Sequence, residues 1–243
     1  MRYGIVSDVH SNIEALHAVL AALDEERVDQ LLCLGDIVGY GPSPNECCTS
    51  LVQRGCISIA GNHDEAAATG SGLEFFTPLA REALEWNRAA LTPDHLSMLT
   101  ALPRERTIGG FDVVHGAPVY HFEYILDTLD AEAAFARTPA ALTFVGHTHV
   151  AEVYYQDSSG RTYQQRLMHG GRIEISPEYR YIVNPGSVGQ PRDRNPQAAF
   201  AVCDTEARIV DVKRVNYDVQ GVQRRMEEAR LPAQLGERLA VGY

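Results

Sequence analysis

Five short apolar segments, each followed within a residue or two by Asp, Asn or His, constrain the fold of this chain more than any other feature. The segments are RYGIVS, LLCLG, CISIA, FDVV and LTFVG. Each has the length of one buried strand, and a polar or glycine-rich loop follows each of them. Side chains that can bind metals therefore stand at the ends of strands that are far apart in the sequence.

A helix is predicted directly after the first of these strands. From Ile13 onwards, Leu16, Leu20 and Leu23 recur at the spacing of one helix face. Strands and helices then alternate, which is typical of largely parallel strands with helices on the sheet faces. Because loops at the carboxyl ends of parallel strands converge on one crevice, the polar residues that follow the strands are expected to meet.

A second helix is predicted to begin at Ser43. This residue has the N-cap character of serine, Pro44 suits the first helical position, and Glu46 stands where it would complete a capping box. The glycine-rich loop VGYGP precedes it and is equally compatible with a tight turn and with substrate contact.

The segment 73–102 interrupts the alternation of strands and helices. The pairs Thr77-Pro78 and Thr92-Pro93 each resemble a capped helix start, so two helices are predicted here, as a helical cap within a single domain spanning 1–243. After Val150 the strands are predicted to be mostly antiparallel, with a final helix over about 219–230. The predicted fold class is therefore α/β.

The amino-acid composition indicates which partners and which cellular location are expected. Lys and Arg number 21 against 32 Asp and Glu, giving a formal net charge of -11, which argues against a nucleic-acid partner. Five cysteines without a C-x-x-C pair argue against a disulfide framework and a thiolate zinc site, so a cytoplasmic location is expected. No stretch is long and apolar enough to suggest a membrane span.

The residues at the five strand ends form a mixed oxygen and nitrogen ligand set. The set consists of Asp8, His10, Asp36, Asn62, His115, His147 and His149. Imidazole suits zinc, iron, nickel or copper, and carboxylate or amide oxygen suits harder ions such as manganese. Seven ligands are too many for one tetrahedral ion but suit two divalent ions that share a carboxylate, as in two-metal hydrolases.

In this order, the motifs resemble those of the calcineurin-like metallophosphoesterase superfamily. They are D-V-H from Asp8, G-D at Asp36, G-N-H-D from Gly61, the single His115, and G-H-T-H from Gly146, and no motif position is substituted. The resemblance extends from Met1 to about residue 204. VGYGPSPNEC, HGAP with EYIL, and NPGSVGQPRD are similar to a branch of YfcE-type phosphodiesterases and symmetrical diadenosine-tetraphosphate-hydrolase-like proteins.

The resemblance implies a two-sheet β-sandwich flanked by helices and two divalent ions, with Mn, Fe, Zn and Ni all open. One ion would be held by Asp8, His10, Asp36 and His149. The other would be held by Asp36, Asn62, His115 and His147, with Asp36 as the bridge. A hydroxide between the ions is the implied nucleophile.

Three further residues are expected to act without binding metal. His63 follows a ligand directly and is placed to steady or protonate the leaving oxygen, and Asp64 is expected to orient its imidazole. Arg192 lies in a loop rich in Gly and Pro and is a candidate phosphate clamp, because a guanidinium can donate to two oxygens. The remaining histidines, and Trp86, are assigned surface or packing roles.

The predicted function is hydrolysis of a phosphodiester or pyrophosphate bond in a small phosphorylated molecule, with a nucleotide or dinucleoside polyphosphate among the options. Two alternatives stay open at this stage. The same centre would serve a protein phosphatase, and a metal-binding scaffold of the retromer-subunit kind shares the fold but carries a damaged site. The intact His63 argues against the scaffold.

Overall fold

The computed structural model describes residues 1–243, and its centre is a pair of six-stranded mixed sheets. The first sheet has the spatial order β3 (Ile57–Ser58), β2 (Gln30–Cys33), β1 (Arg2–Val6), β11 (Ala198–Asp204), β12 (Ile209–Val215), β9 (Gly171–Glu174). The second has the order β4 (Glu105–Ile108), β5 (Phe111–Val114), β6 (Leu142–Phe144), β10 (Tyr179–Pro185), β7 (Ala151–Asp157), β8 (Thr162–Arg166).

Helices surround the two sheets. They are α1 (Ile13–Glu25), α2 (Pro44–Gln53), α3 (Asn62–Thr69), α4 (Pro78–Ala90), α5 (Pro93–Thr100), α6 (Thr128–Arg137), α7 (Val219–Glu228) and α8 (Ala233–Glu237), with 3₁₀ turns at Leu73–Phe75 and Arg238–Ala240. No helix in the structure combines the length and the apolar character needed to cross a bilayer.

Alternate residues of the central strands face two different cores. In β10, Tyr181 and Val183 join the cluster between the two sheets, whereas Ile182 packs with Phe135 of α6. This period of two is what a strand buried on both faces requires. The predicted two-sheet sandwich flanked by helices is confirmed.

The two halves of the chain do not form separate sheets. β1, β2 and β3 pair in parallel, as predicted, but β11 of the second half pairs antiparallel with β1 and completes their sheet. In the other sheet, β10 pairs in parallel with β6 and antiparallel with β7. The predicted change from parallel to antiparallel pairing therefore occurs within each sheet.

Local signals for helix starts are mostly confirmed, with one exception. The side chains of Thr77 and Thr92 cap α4 and α5 as predicted. Ser43 occupies the N-cap position of α2, but its side chain makes no capping bond, so the predicted capping box is wrong. Glu46 instead accepts a hydrogen bond of 3.2 Å from Arg225 of α7, a partner that is distant in sequence.

The segment 73–102 packs beside the loops that carry the ligand residues, because α3 contacts both α4 and α5. Its role as a cap over a substrate stays a prediction. The ends of β1, β2 and β3 lie side by side in the first sheet, and those of β5 and β6 lie side by side in the second, because these strands pair in parallel. Ligand residues that follow strands of both sheets come together at one edge. The loops that follow these strands build the site.

Candidate metal centre

Two groups of buried side chains at this edge share one carboxylate. The first group is Asp8, His10, Asp36 and His149, and the second is Asp36, His115 and His147. Within each group, the potential ligand atoms all lie within 4.8 Å of one another. Asp36 belongs to both groups, which is the arrangement expected of a bridging ligand.

Short distances inside the two groups define their geometry. The Nε2 atom of His149 lies 3.3 Å from Oδ1 of Asp8. The Oδ2 atom of Asp36 lies 3.3 Å from Nε2 of His115 and 3.6 Å from Nε2 of His10. One carboxylate oxygen thus faces an imidazole from each group.

Backbone carbonyl groups orient three of the imidazoles. Nδ1 of His10 lies 3.0 Å from the oxygen of Val38, Nδ1 of His115 lies 2.8 Å from that of Leu34, and Nδ1 of His149 lies 2.6 Å from that of Gln190. A carbonyl oxygen can only accept, so each Nδ1 must carry the proton. In the neutral imidazoles, each Nε2 therefore presents a lone pair towards the carboxylates, as metal-binding histidines commonly do.

The carboxylates of the site and its closely spaced imidazole nitrogens are suited to binding cations. Nε2 of His10 lies 3.1 Å from Nε2 of His149, so two lone pairs face one another unless a cation satisfies them. Burial alone would lower the pKa of His115, yet the carboxylates of Asp36 and Asp8 raise that pKa to about 9. A proton on His115 then occupies a position where a metal ion would compete with it.

Asn62 adds an oxygen to the same region. It is the first residue of α3, and its Oδ1 atom is buried without a hydrogen-bond partner. Nε2 of His115 is buried 3.3 Å from Oδ2 of Asp36 and makes no well-directed hydrogen bond. Buried polar atoms without hydrogen bonds are rare in folded proteins, so the chemistry of both atoms fits ligands of a cation.

Strained backbone accompanies the ligands. The residues with positive φ include Asp8 (52°), His10 (49°), Asp36 (52°), His147 (68°) and His149 (61°). Such conformations are uncommon for residues other than glycine and concentrate at functional sites. Five of the seven predicted ligands adopt them.

Two positions of the motifs must be glycine because their backbone lies in close contact with residues of the site. A Cβ atom at Gly61 would lie 2.0 Å from Oδ1 of Asp36, and one at Gly146 would lie 2.0 Å from Oγ of Ser7 and 2.8 Å from Oδ2 of Asp8. Any side chain at these positions would displace the carboxylates.

His63 lies beside both groups without belonging to either, and its ring is 4.8 Å from that of His10. Its backbone N–H donates to Oδ1 of Asp36 at 2.8 Å, and its ring lies 4.6 Å from the ring of Tyr40 and 4.7 Å from that of Phe76. Burial lowers the pKa of His63 to about 4 although Asp36 opposes this shift, and nearby Arg192 lowers it further. The imidazole is therefore neutral near pH 7.

The predicted role of Asp64 is wrong. Its Oδ1 atom accepts from the N–H of Val38, and its Oδ2 atom accepts from the N–H of Gly61, both at 3.1 Å. The Nδ1 atom of His63 has no hydrogen-bond partner at all. Asp64 thus joins the loop after β2 to the loop after β3, and it does not orient the imidazole.

Arg192 lies at the site, as the loop composition suggested. Its Nη2 atom donates to Oε1 of Gln190 at 2.9 Å and to the hydroxyl of Tyr40 at 3.3 Å. Its backbone N–H donates to the carbonyl of His149 at 3.2 Å. No carboxylate neutralises the guanidinium, so it is available to an anion.

Several residues of the site were not predicted. The ring of Tyr124 stacks on that of His147 at 3.9 Å with an interplanar angle of 17°. Asn87 of α4 is fully buried, and its Oδ1 accepts from Oγ of Ser11 at 2.5 Å and from the N–H of Gly39 at 3.0 Å. A polar residue in the apolar stripe of α4, which also contains Ala80, Ala83 and Leu84, was the signal for Asn87.

Asn87→Ala is expected to destabilise the metal-free protein by about 2–4 kcal/mol, because it leaves the N–H of Gly39 and the carbonyl of Gly41 buried without partners. Urea unfolding followed by circular dichroism measures the change. Glu85→Ala, an exposed position on the same helix, is the control. Equal stability of the two variants would show that the buried hydrogen bonds of Asn87 do not stabilise the fold.

The other histidines lie outside the site. His17, His95 and His121 have hydrogen-bond partners in Ser50, Asn45 and Glu105 respectively. His169 lies in the short connection between β8 and β9.

A cavity of about 530 Å³ adjoins the second group, and Asn62, His63 and His147 line it.

Comparisons with known proteins identify the family and the fold. A model of the calcineurin-like phosphoesterase superfamily domain matches residues 1–208. Uncharacterized protein MJ0912 of Methanocaldococcus jannaschii is 35% identical over 245 residues, which cover 98% of this chain and 97% of that protein. A metallophosphoesterase from Sphaerobacter thermophilus has 40% sequence identity to this chain. Its crystal structure superposes with a TM-score of 0.89, and the match covers 100% of both chains. Protein PH1004 of Pyrococcus horikoshii OT3 shares the fold at 21% identity, with a TM-score of 0.80, 100% coverage of this chain and 98% of its own.

Proposed function

This chain belongs to the calcineurin-like phosphoesterase superfamily, and we propose that it hydrolyses a phosphodiester or pyrophosphate bond in a small molecule with two divalent ions. Membership confirms the resemblance seen in the motifs, and metal-dependent phosphoester chemistry follows from it. The number of ions, the roles of individual residues and the size of the substrate are our proposals.

The observation that carries the proposal is the sharing of Asp36 between two buried groups of potential ligands. We assign Asp8, His10 and His149 to one ion, and Asn62, His115 and His147 to the other. When bound, such ions supply Lewis acidity and lower the pKa of coordinated water. The mixture of carboxylate, amide and imidazole donors suits Mn, Fe, Zn or Ni.

His63 acts on the leaving oxygen in this proposal. Its ring is fixed by Tyr40 and Phe76 beside Asp36, and it is neutral near pH 7. A neutral imidazole donates an N–H hydrogen bond to the oxygen that accumulates charge, and the approach of an anionic substrate raises its pKa and favours proton transfer. His63 therefore stabilises the departing group.

Arg192 binds a non-bridging oxygen of the substrate phosphate in this proposal. Tyr40 and Gln190 hold the guanidinium in place, which lowers the entropic cost of binding an anion. A cavity of about 530 Å³ lies within the usual range for small-molecule sites and supports a small substrate over a phosphoprotein. The net charge of -11 also disfavours a nucleic acid.

Arg192→Ala is expected to raise KM about 10- to 100-fold while both ions remain bound, because one or two charge-assisted hydrogen bonds to phosphate are lost. Arg194→Ala, an exposed residue of the same loop, is the matched control. Initial rates and metal content are measured together for both variants. If Arg192→Ala and Arg194→Ala had the same KM, the phosphate-binding role would be excluded.

The proposal is tested by stripping the protein of metal with a chelator. Turnover of bis(p-nitrophenyl) phosphate is then measured before and after addition of Mn, Fe, Zn or Ni. We expect activity only after a metal is restored. A dinucleoside polyphosphate should then be hydrolysed faster than a phosphopeptide. Absence of turnover with every metal would favour the scaffold alternative, and a preference for the phosphopeptide would favour a protein phosphatase.

A further inference from the structure

The cavity beside the second group of ligands has walls of aromatic side chains, and we call it the aromatic pocket. Phe75 and Phe76 lie on one side, at the turn that precedes α4, and Phe122 and Tyr124 come from the connection between β5 and α6. Asn62, His63 and His147 also line it. Residues of the first group, such as Asp8 and His149, do not line the pocket, so it adjoins the metal centre on the side of His63.

Phe75 is the most informative of the four rings. Its side chain is 87% exposed, and no other ring packs against it, whereas Phe76 packs on His63 and Tyr124 stacks on His147. A phenylalanine side chain that is largely exposed, with no ring packed against it, buries little apolar surface and contributes little to folding. Its position at a pocket that adjoins the candidate metal centre therefore indicates a ligand contact.

The pocket offers no free charge to a second phosphate group. Glu65 is its one acidic residue, and both of its oxygens accept from Arg104, at 2.5 and 2.9 Å. The same guanidinium lies 5.5 Å from the centre of the Phe122 ring. Ser71 contributes a hydroxyl to the lining. The pocket therefore suits an uncharged group that is flat and carries polar substituents.

We propose that the aromatic pocket binds a flat, uncharged heteroaromatic ring of the substrate, of the nucleobase class, attached on the leaving-group side of the scissile bond. The ring stacks against Phe75, and its phosphate lies at the metal centre. This inference deepens the proposed function and rests on it for the identity of the reacting bond. The binding of the ring by itself requires neither metal nor turnover.

Calorimetric titration of the metal-free protein with adenosine, and separately with ribose, tests the pocket without catalysis. Adenosine is expected to bind and ribose is not, because a base stacks on an aromatic ring whereas a sugar does not. Phe75→Ala should weaken adenosine binding about 5- to 100-fold, and Phe75→Trp should preserve it. Leu129→Ala, another exposed apolar position that does not line the pocket, is the control and should leave binding unchanged.

The outcomes separate this inference from the proposed function. Binding of ribose as strong as that of adenosine, or equal adenosine affinity in Phe75→Ala and Leu129→Ala, would overturn the inference. Turnover of bis(p-nitrophenyl) phosphate in the same preparations reports on the function alone. Adenosine binding without any metal-dependent turnover would thus support the pocket and reject the hydrolase.

Discussion

Asp36→Asn is expected to abolish the dinuclear centre and to lower turnover by on the order of 10³-fold or more. The substitution preserves the size of the side chain and one oxygen that can accept the 2.8 Å hydrogen bond from the N–H of His63. It removes the negative charge that faces His10 and His115. Because both groups of ligands depend on this carboxylate, both ions should bind more weakly.

Metal content by mass spectrometry and turnover of bis(p-nitrophenyl) phosphate are to be measured on the same sample. Circular dichroism confirms that the variant folds, which we expect because the change removes a buried charge. Asp94→Asn, at an exposed position in α5, is the control and should behave like the parent protein. A variant with Asn at 36 that held two ions and kept full activity would refute the bridging assignment.

His63→Asn is expected to keep its metal ions and to lose activity in proportion to the basicity of the leaving group. A positioned acid contributes typically about 10²–10⁴-fold to the departure of a poor leaving group. Alkoxides need this assistance, whereas p-nitrophenolate needs little of it. The loss should therefore be large for dimethyl phosphate and smaller for methyl p-nitrophenyl phosphate.

The two diesters differ only in the leaving group, because the methyl phosphate part is the same in both. His95→Asn is the matched control, since His95 bonds with Asn45 outside the site. Equal losses on the two esters would exclude action on the leaving group. Loss of metal from the His63 variant would make His63 a ligand instead.

The position of the ligand residues could be predicted from the sequence because it depends on local pattern. Asp8, Asp36 and His115 each follow an apolar strand, and parallel pairing brings the ends of such strands together whichever sheet they join. The same reasoning cannot show which strands of the chain belong to which of the two sheets. That division depends on the pairing of β1 with β11, whose residues lie about 200 positions apart.

Contacts between distant loops account for the errors and omissions. Asp64 was expected to serve His63, its neighbour in sequence, but the approach of the β2 loop offers it the N–H of Val38. Glu46 was expected to complete a capping box, but α7 brings Arg225 within reach. For Glu46 the tertiary packing selected the distant partner. Asp64 combines the distant N–H of Val38 with the local N–H of Gly61 at the start of α3.

Some elements left no clear local pattern. α6 is rich in alanine, and although Asp127 caps it, its apolar face is too weak to distinguish from a loop by periodicity. Tyr124 reaches His147 only because the connection before α6 folds back on the site. Tyr124 lines the aromatic pocket, where the sequence motifs are least informative.

The number of divalent ions bound per chain tests the central claim most directly. The protein should be stripped with a chelator, reconstituted with Mn or Zn, freed of excess metal and analysed for metal and protein concentration together. We predict two ions per chain in the parent protein, bound by the two buried groups that share Asp36. Asp36→Asn should lose both ions. A reproducible value of one ion or none in the parent protein would contradict the account.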